Sequence, residues 1–465
     1  MAFIQSVFWS GLDRLAIGKA NLRSSLRAHR PGVRNQSPTA VNRDVASPDR
    51  RLVNWLPAGA ILAGAALMVG AALMAGPAMM AGAALKSRPV GSIAPRTQGP
   101  AQSHSAFPVD IVAGPAPQPV MADGRARLLY ELRVTNFSVG PIELLGLDVL
   151  GADGTAPLAS YRAEALEKLL FTVGPADGAN KPRIIGGGRT AVIFIDLSLS
   201  SGDDMPAELG HRLTLSIQRK NGAILENTVN GPIVLVARQP IPVLRAPVSG
   251  QAWIAFNALS NEDHRRALMS VDGRARIAQR FAIDWMCLGP DGRLFHGDPK
   301  SNASFYCYGV NVLAVADGRI SDLKDGLPEN AGLNEQSARQ VTLDNIAGNY
   351  LVLDLGHGRF ALYAHLQPGS FQVKPGAAVK SGQILARLGN SGNSDAPHLH
   401  FHLIDGNSPL GAEGTPYELE TFTQIGVLGG PDAVDNGQVW RPNPQDKPVI
   451  HRREFPVDNA VVVFP

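Results

Sequence analysis

The chemistry of this chain gathers at His398-Leu399-His400, within Ala396-Pro397-His398-Leu399-His400-Phe401-His402. On a β-strand the side-chain period is two, so His398, His400 and His402 share one face while Leu399 and Phe401 point into a core. Imidazole is the commonest metal ligand and the side chain best suited to proton transfer near neutrality. The spacing therefore suits either a metal site or a pair of proton-handling groups at the mouth of a sheet.

A strand with that task needs neighbours and a loop that delivers it to an open rim. The run Gly389-Asn390-Ser391-Gly392-Asn393-Ser394-Asp395 has the composition of such a loop. Strands are expected at Asn349–Leu355 and Arg359–Leu366, the second ending in His365. A turn-strand-turn-strand pattern follows over Val373–Ala386, with turns at Pro375-Gly376 and Lys380-Ser381-Gly382. Five of the eleven histidines fall between His357 and His402. His357, in Gly356-His357-Gly358, reads as a turn residue, and Trp285 and Tyr363 read as core or groove wall.

Five segments occur in a telling order: Phe281-Ala282-Ile283-Asp284-Trp285, Ala314-Val315-Ala316-Asp317-Gly318, Tyr363-Ala364-His365-Leu366, Val379-Lys380-Ser381-Gly382-Gln383, and Pro397-His398-Leu399-His400-Phe401. Over roughly residues 264–405 the chain resembles the lysostaphin-like (LytM-type) zinc metallopeptidases, which cut peptide bonds in bacterial peptidoglycan. The resemblance implies an antiparallel β-sheet peptidase domain of the duplicated-hybrid-motif type. It implies one zinc ion per chain bound by Asp284 and His400, with His398 and His365 facing the reacting water and the substrate. A catalytic zinc keeps three protein ligands and an open position, and a general acid–base group must reach the water or the leaving group. His402 is expected to support the site by hydrogen bonding, since a fourth ligand would close it.

The chain departs from the family at one place. The first zinc ligand of the family is a His four residues before the Asp, and here that position is Arg280. A guanidinium stays protonated and cannot ligate a cation. His264, twenty residues before Asp284, is the first candidate to replace it, returned by a hairpin through Val271-Asp272-Gly273-Arg274. His296 is the second candidate. If neither reaches, only Asp284 and His400 remain and the site is degenerate.

The rest of the chain supplies the setting. Residues 105–245 read as a β-sandwich, immunoglobulin-like in pattern, with strands at 128–134, 190–197 and 213–218 and a short helix at 163–170. Asn221-Gly222 predicts a type I′ hairpin turn. The peptidase domain is placed at 246–428, and a C-terminal extension at 429–465 carries one edge-strand candidate, Ala460–Phe464. The expected fold is thus mainly β: an N-terminal membrane helix, a β-sandwich-like domain, then the peptidase sheet.

Net charge is +3, but its distribution is uneven. Nine of the 43 Lys/Arg and only three of the 40 Asp/Glu lie in residues 1–51. The remainder is mildly acidic, which argues against a nucleic-acid partner. Residues 52–85 contain no charged side chain, and about twenty apolar residues cross a bilayer core. With Arg50-Arg51 on the near side, the positive-inside rule makes 1–51 a cytoplasmic leader and 52–85 a single-pass anchor in the inner membrane, with the body in the periplasm. A cleaved export signal is the alternative, the body then lying in the periplasm or outside. Residues 86–104, rich in Pro, Ser and Gly, form a linker. In an oxidising compartment Cys287 and Cys307, twenty positions apart, could form a disulfide, the alternative being two ordinary buried thiols.

The expectation is a zinc endopeptidase acting on peptidoglycan peptides. A second reading is a non-catalytic relative that binds peptidoglycan or activates an amidase, with a degenerate metal site. A carrier domain of the biotinyl/lipoyl kind rests on the Gly382-Gln383 hairpin alone and leaves the paired histidines unexplained.

Overall fold

The computed structural model describes residues 107–465, apart from 153, 155, 174–181, 201–204, 251, 334–340 and 431–436. The expected membrane segment, leader and linker lie outside the described residues. Among the described residues no helix is long and apolar enough to cross a membrane.

Two antiparallel sheets form the N-terminal lobe. One runs Val109–Ala113, Arg125–Asn136, Thr190–Ser200, Leu170–Thr172; the other runs Ile224–Asn230, Glu208–Gln218, Ile142–Leu150, Pro157–Arg162. Alternation within the long strands explains how the lobe has two apolar faces. From Arg125–Asn136, Leu128, Tyr130, Leu132 and Val134 enter the core between the sheets. The intervening Leu129 joins the core of the second lobe, and Glu131, also buried, faces the same way. Thr190–Ser200 behaves alike: Ile193, Ile195 and Leu197 fill the inner core, while Val192 and Phe194 pack against Ile277. The near-continuous apolar run at 190–197 is therefore a strand covered on both faces. A helix forms at Ala163–Glu167.

The type I′ turn does not form at Asn221-Gly222. Arg219 N donates to Ala223 O (2.8 Å), so three residues close the loop, and of the Asn-Gly pair only Gly222 takes a positive φ (83°). A three-residue loop with glycine in the left-handed region replaces the two-residue turn.

The second lobe is organised by a 12-stranded sheet. Its central order is Glu418–Val427, Ala460–Val463, Trp253–Phe256, Ile283–Cys287, Leu399–Ile404, Arg359–Leu366, Asn349–Gly356, Gly318–Lys324. The C-terminal segment 460–463 is interior rather than at an edge, pairing with both Trp253–Phe256 and Glu418–Val427. Its Ala460, Val461 and Val462 are fully buried, so the last residues of the chain belong to the core of this sheet.

Cys287 and Cys307 are free thiols, which corrects the expected bridge. Both are buried. The Cys307 thiol donates to Pro397 O (3.1 Å), satisfying it beside the His398 strand without a covalent link.

Candidate metal centre

Three adjacent strands place the first half of the site by register. Asp284 pairs with His400 across Ile283–Cys287 and Leu399–Ile404, and His400 pairs on its other side with Ala364. Alternation sends Leu399, Phe401, Trp285 and Tyr363 into the core, leaving Asp284, His400 and His402 on the opposite face, at a cleft of about 630 Å³. His400 Nδ1 meets Asp284 Oδ1 at 2.8 Å, and His400 Nε2 meets His402 Nδ1 at 2.9 Å. Nε2 of His402 is buried with no partner.

His365 reaches the cleft by breaking the strand period. Asn349 pairs with Leu366 and Leu351 with Tyr363, so two residues of one strand oppose one of the other. This bulge puts His365 at φ 61°, a conformation that costs free energy in any residue but glycine. Strict alternation would have turned its side chain toward the core with Tyr363. The bulge instead turns it to the cleft, where its Nδ1–H donates to Ser391 O (2.8 Å). Burial, together with His398 and His400 nearby, pushes its pKa well below the usual imidazole value, so the ring is neutral with Nε2 free to accept.

His398 stands at the entry to its strand. Its Nδ1–H donates to Ala396 O (2.8 Å), with Ser394 Oγ at 3.2 Å, and Nε2 lies 3.4 Å from Asp284 Oδ1. Burial lowers its pKa, but the Asp284 carboxylate outweighs that and holds it above the ordinary value. The Gly389–Asp395 loop is fixed from below: Ser394 Oγ donates to Asn390 Oδ1 (2.6 Å), and Asn390 Nδ2 donates to Asn302 Oδ1 (2.9 Å).

His264 comes from a one-turn helix, Asp263–Arg266. The Met269–Val271 and Arg274–Arg276 hairpin, turned through Asp272 and Gly273 at positive φ, carries the chain back toward Asp284. His264 Nδ1–H donates to Ala282 O (3.2 Å), and Nε2 lies 3.1 Å from Asp284 Oδ2. Burial depresses its pKa and Asp284 more than offsets this, leaving it above the ordinary value. Asp284 thus sits among several imidazoles; burial alone would raise its pKa, and His264 and His398 drive it well below the carboxylate range. His296 is elsewhere, its ring against Tyr306.

Arg280 is turned away from this cluster and fully engaged. Its Nε and Nη2 donate to Glu131, with Nη2 to Oε2 at 2.9 Å; Nη2 also reaches Glu413 Oε2 (3.0 Å) and Nη1 Gly414 O (3.1 Å). The position of the family's first ligand has become a buried ion pair across the two lobes.

Two sets of donors lie within 4.8 Å of one another among the described residues: His264, Asp284 and His400, and His365, His398 and His400. Only the first contains a carboxylate, whose charge would offset that of a divalent cation. Its nitrogen and oxygen atoms are the donors that zinc takes, and three of them leave a position open toward His398 and His365. His264 also has its second ring nitrogen bound to a backbone carbonyl, as metal-bound imidazoles usually do. The residues fit a zinc ion.

Sequence reasoning missed two groups. Asn257 Nδ2 donates to Asp284 Oδ2 (2.9 Å) from a backbone at φ 62°. Glu131 lies in the other lobe; a Glu among the apolar residues of Leu128–Val134 was the available signal.

Comparison with known proteins follows the same outline. Peptidase family M23 matches residues 304–411, a span that holds His365, His398 and His400 but begins after His264 and Asp284. The peptidoglycan DD-endopeptidases ShyA and ShyB of Vibrio cholerae serotype O1 are 39% and 41% identical over 66 residues, covering 14% of this chain. The matched stretch spans 15% of each of those relatives. Among solved structures, the catalytic domain of the antimicrobial peptidase lysostaphin from Staphylococcus simulans is 23% identical, covering 27% of this chain and 86% of that one, at a TM-score of 0.18. A zinc-containing peptidase from Vibrio cholerae is 17% identical, covering 61% and 80%, at 0.19. The strands that carry His365 and His400 thus lie within the stretch that matches peptidase family M23.

Proposed function

We propose that the chain is a zinc-dependent endopeptidase that hydrolyses peptide bonds in bacterial peptidoglycan. One observation carries the reading: His264, Asp284 and His400 converge on one side of a cleft, while His365 turns Nε2 into it and His398 brings Nε2 to 3.4 Å from Asp284 Oδ1. A zinc ion held by those three donors would polarise the scissile carbonyl and lower the pKa of a water to about 7.

The remaining work falls to this chain's side chains. With Nδ1–H donated to Ala396 O, and with the Asp284 charge that raises its pKa taken up by a metal ion, His398 would offer Nε2 as the base that takes the attacking water's proton. The same atom then returns it to the leaving amine. His365, neutral and tied through Nδ1–H to Ser391 O, accepts from the water through Nε2 and so orients it. His400 Nε2–H donates to His402 Nδ1, which holds its ring with Nδ1 toward Asp284. Apolar side chains such as Leu268, Met286, Ile346 and Leu362 wall the cleft.

Peptidoglycan as the substrate is supported by the M23 domain and by relatives named as peptidoglycan DD-endopeptidases. The reading is tested by incubating the metal-loaded protein with purified sacculi and identifying the products. Release of cross-linked stem peptides as monomers supports it; intact sacculi, or products cleaved only in glycan, overturn it. The non-catalytic alternative drew its support from Arg280, and that guanidinium is neutralised by Glu131 and Glu413 away from the cluster.

We also propose that residues 52–85 tether or export the body. Their freedom from charge and the basic leader support this. A periplasm-active reporter is expected to be active when fused after residue 104 and silent near residue 48; activity from the early fusion would sink it.

A further inference from the structure

The His264 imidazole is carried by four residues with no side-chain cap at the N-terminus. A single helical turn does not stand alone in water, because nucleation fixes several residues for one hydrogen bond. What holds this turn is the other lobe. Arg265, 1% exposed, donates Nη2 to Ile195 O (3.1 Å), Tyr130 O (3.4 Å) and Glu131 Oε1 (3.4 Å). Arg266 donates Nη2 to Lys168 O (2.6 Å) and Nε to Asn261 O (2.7 Å). Asn261 in turn donates to Phe194 O (3.3 Å) and Lys168 O (3.4 Å). All of these acceptors except Asn261 O belong to the N-terminal lobe. The Glu131 carboxylate also anchors Arg280, four residues before Asp284.

We propose that the N-terminal β lobe is part of the metal site, with Glu131 and Arg265 as positioning residues that set His264 against Asp284. The proposal rests on the reading of His264 as a ligand. Packing alone does not account for Arg265. Its Nε and Nη1 are buried with no partner, a costly state that an apolar residue of similar length would avoid. Such a group is better explained by the placement it enforces on its neighbour than by the stability it adds.

The test uses the full chain, stripped of metal and titrated with Co²⁺, read by its visible d–d absorption, and with Zn²⁺ by calorimetry. Arg265→Met removes the clamp and the unpaired guanidinium together. It should melt at or above the wild-type temperature yet bind Co²⁺ at least ~10-fold more weakly, with a changed spectrum, the scale seen when groups that orient ligands are lost. If Arg265→Met does not fold, Arg265→Lys keeps the charge beside Glu131 while losing the fork to the carbonyls, and should show the same changes in smaller degree. Wild-type affinity and spectrum in the folded variant overturn the proposal. His264→Ala separates the two levels. Loss of Co²⁺ there with none in the Arg265 variants leaves His264 a ligand and removes the lobe's role. Full Co²⁺ binding in His264→Ala removes the ligand reading and this proposal with it.

Discussion

The two halves of the candidate metal centre are built in different ways. Asp284 and His400 face each other across neighbouring strands, and the backbone ladder of the sheet fixes their separation. His264 rides on a one-turn helix whose place is set by side-chain bonds to another lobe. The first half is periodic and held by a backbone ladder, so it resists change in anything but its own residues. The second depends on side-chain bonds to groups of the other lobe, such as Glu131. A ligand moved out of a sheet gives up the sheet's rigidity and must recover it from tertiary contacts.

The largest effect on this contrast is expected from the donors themselves. His400→Ala and Asp284→Ala should lose bound zinc and hydrolysis together, as measured by metal analysis and sacculus digestion. His264→Ala should do the same; retention of one zinc per chain there would leave only the sheet-borne half as the site.

His398→Ala and His365→Ala should keep the metal but lose activity by ~100-fold or more, the scale of general acid–base groups. Loss of zinc in His398→Ala to the same degree as in His400→Ala would make the His365/His398/His400 set the binding one.

Arg280→Ala sharpens the contrast on the side of stability. It leaves Glu131 with only the longer contact to Arg265 and Glu413 with only the longer contact to Arg276, and breaking a buried pair costs about 3–5 kcal/mol. Thermal unfolding should fall steeply. An unchanged melting temperature would mean that the interlobe pair holds nothing in place.

The smallest effect is expected at Asn257, which donates one hydrogen bond to Asp284 Oδ2. Asn257→Ala should weaken zinc affinity by ~10-fold in a chelator competition. An unaltered affinity would show that the strand register alone orients Asp284.

What the sequence could and could not reveal follows the same division. The shared face of His398, His400 and His402 follows from a period of two, and the loop before them from its Gly, Asn and Ser content. The proximity of His264 was an inference from one hairpin, which is present. The bulge that turns His365 into the cleft breaks the period on which such reading depends, and no local residue announces it. Glu131 meets Arg280 across 149 positions, beyond any local pattern. The interior C-terminal strand has the same cause: Ala460–Val463 finds its partners at Trp253–Phe256 and Glu418–Val427 through tertiary packing alone.

The central claim is that one zinc is shared by the sheet and the one-turn helix. Anomalous diffraction at the zinc edge from crystals of the metal-loaded protein tests it most directly. The account predicts one peak bonded to His264 Nε2, His400 Nδ1 and an Asp284 carboxylate oxygen at about 2.0–2.2 Å, with an open side toward His398 and His365. A peak bonded to His365, His398 and His400, or one that leaves His264 unbound, would contradict it.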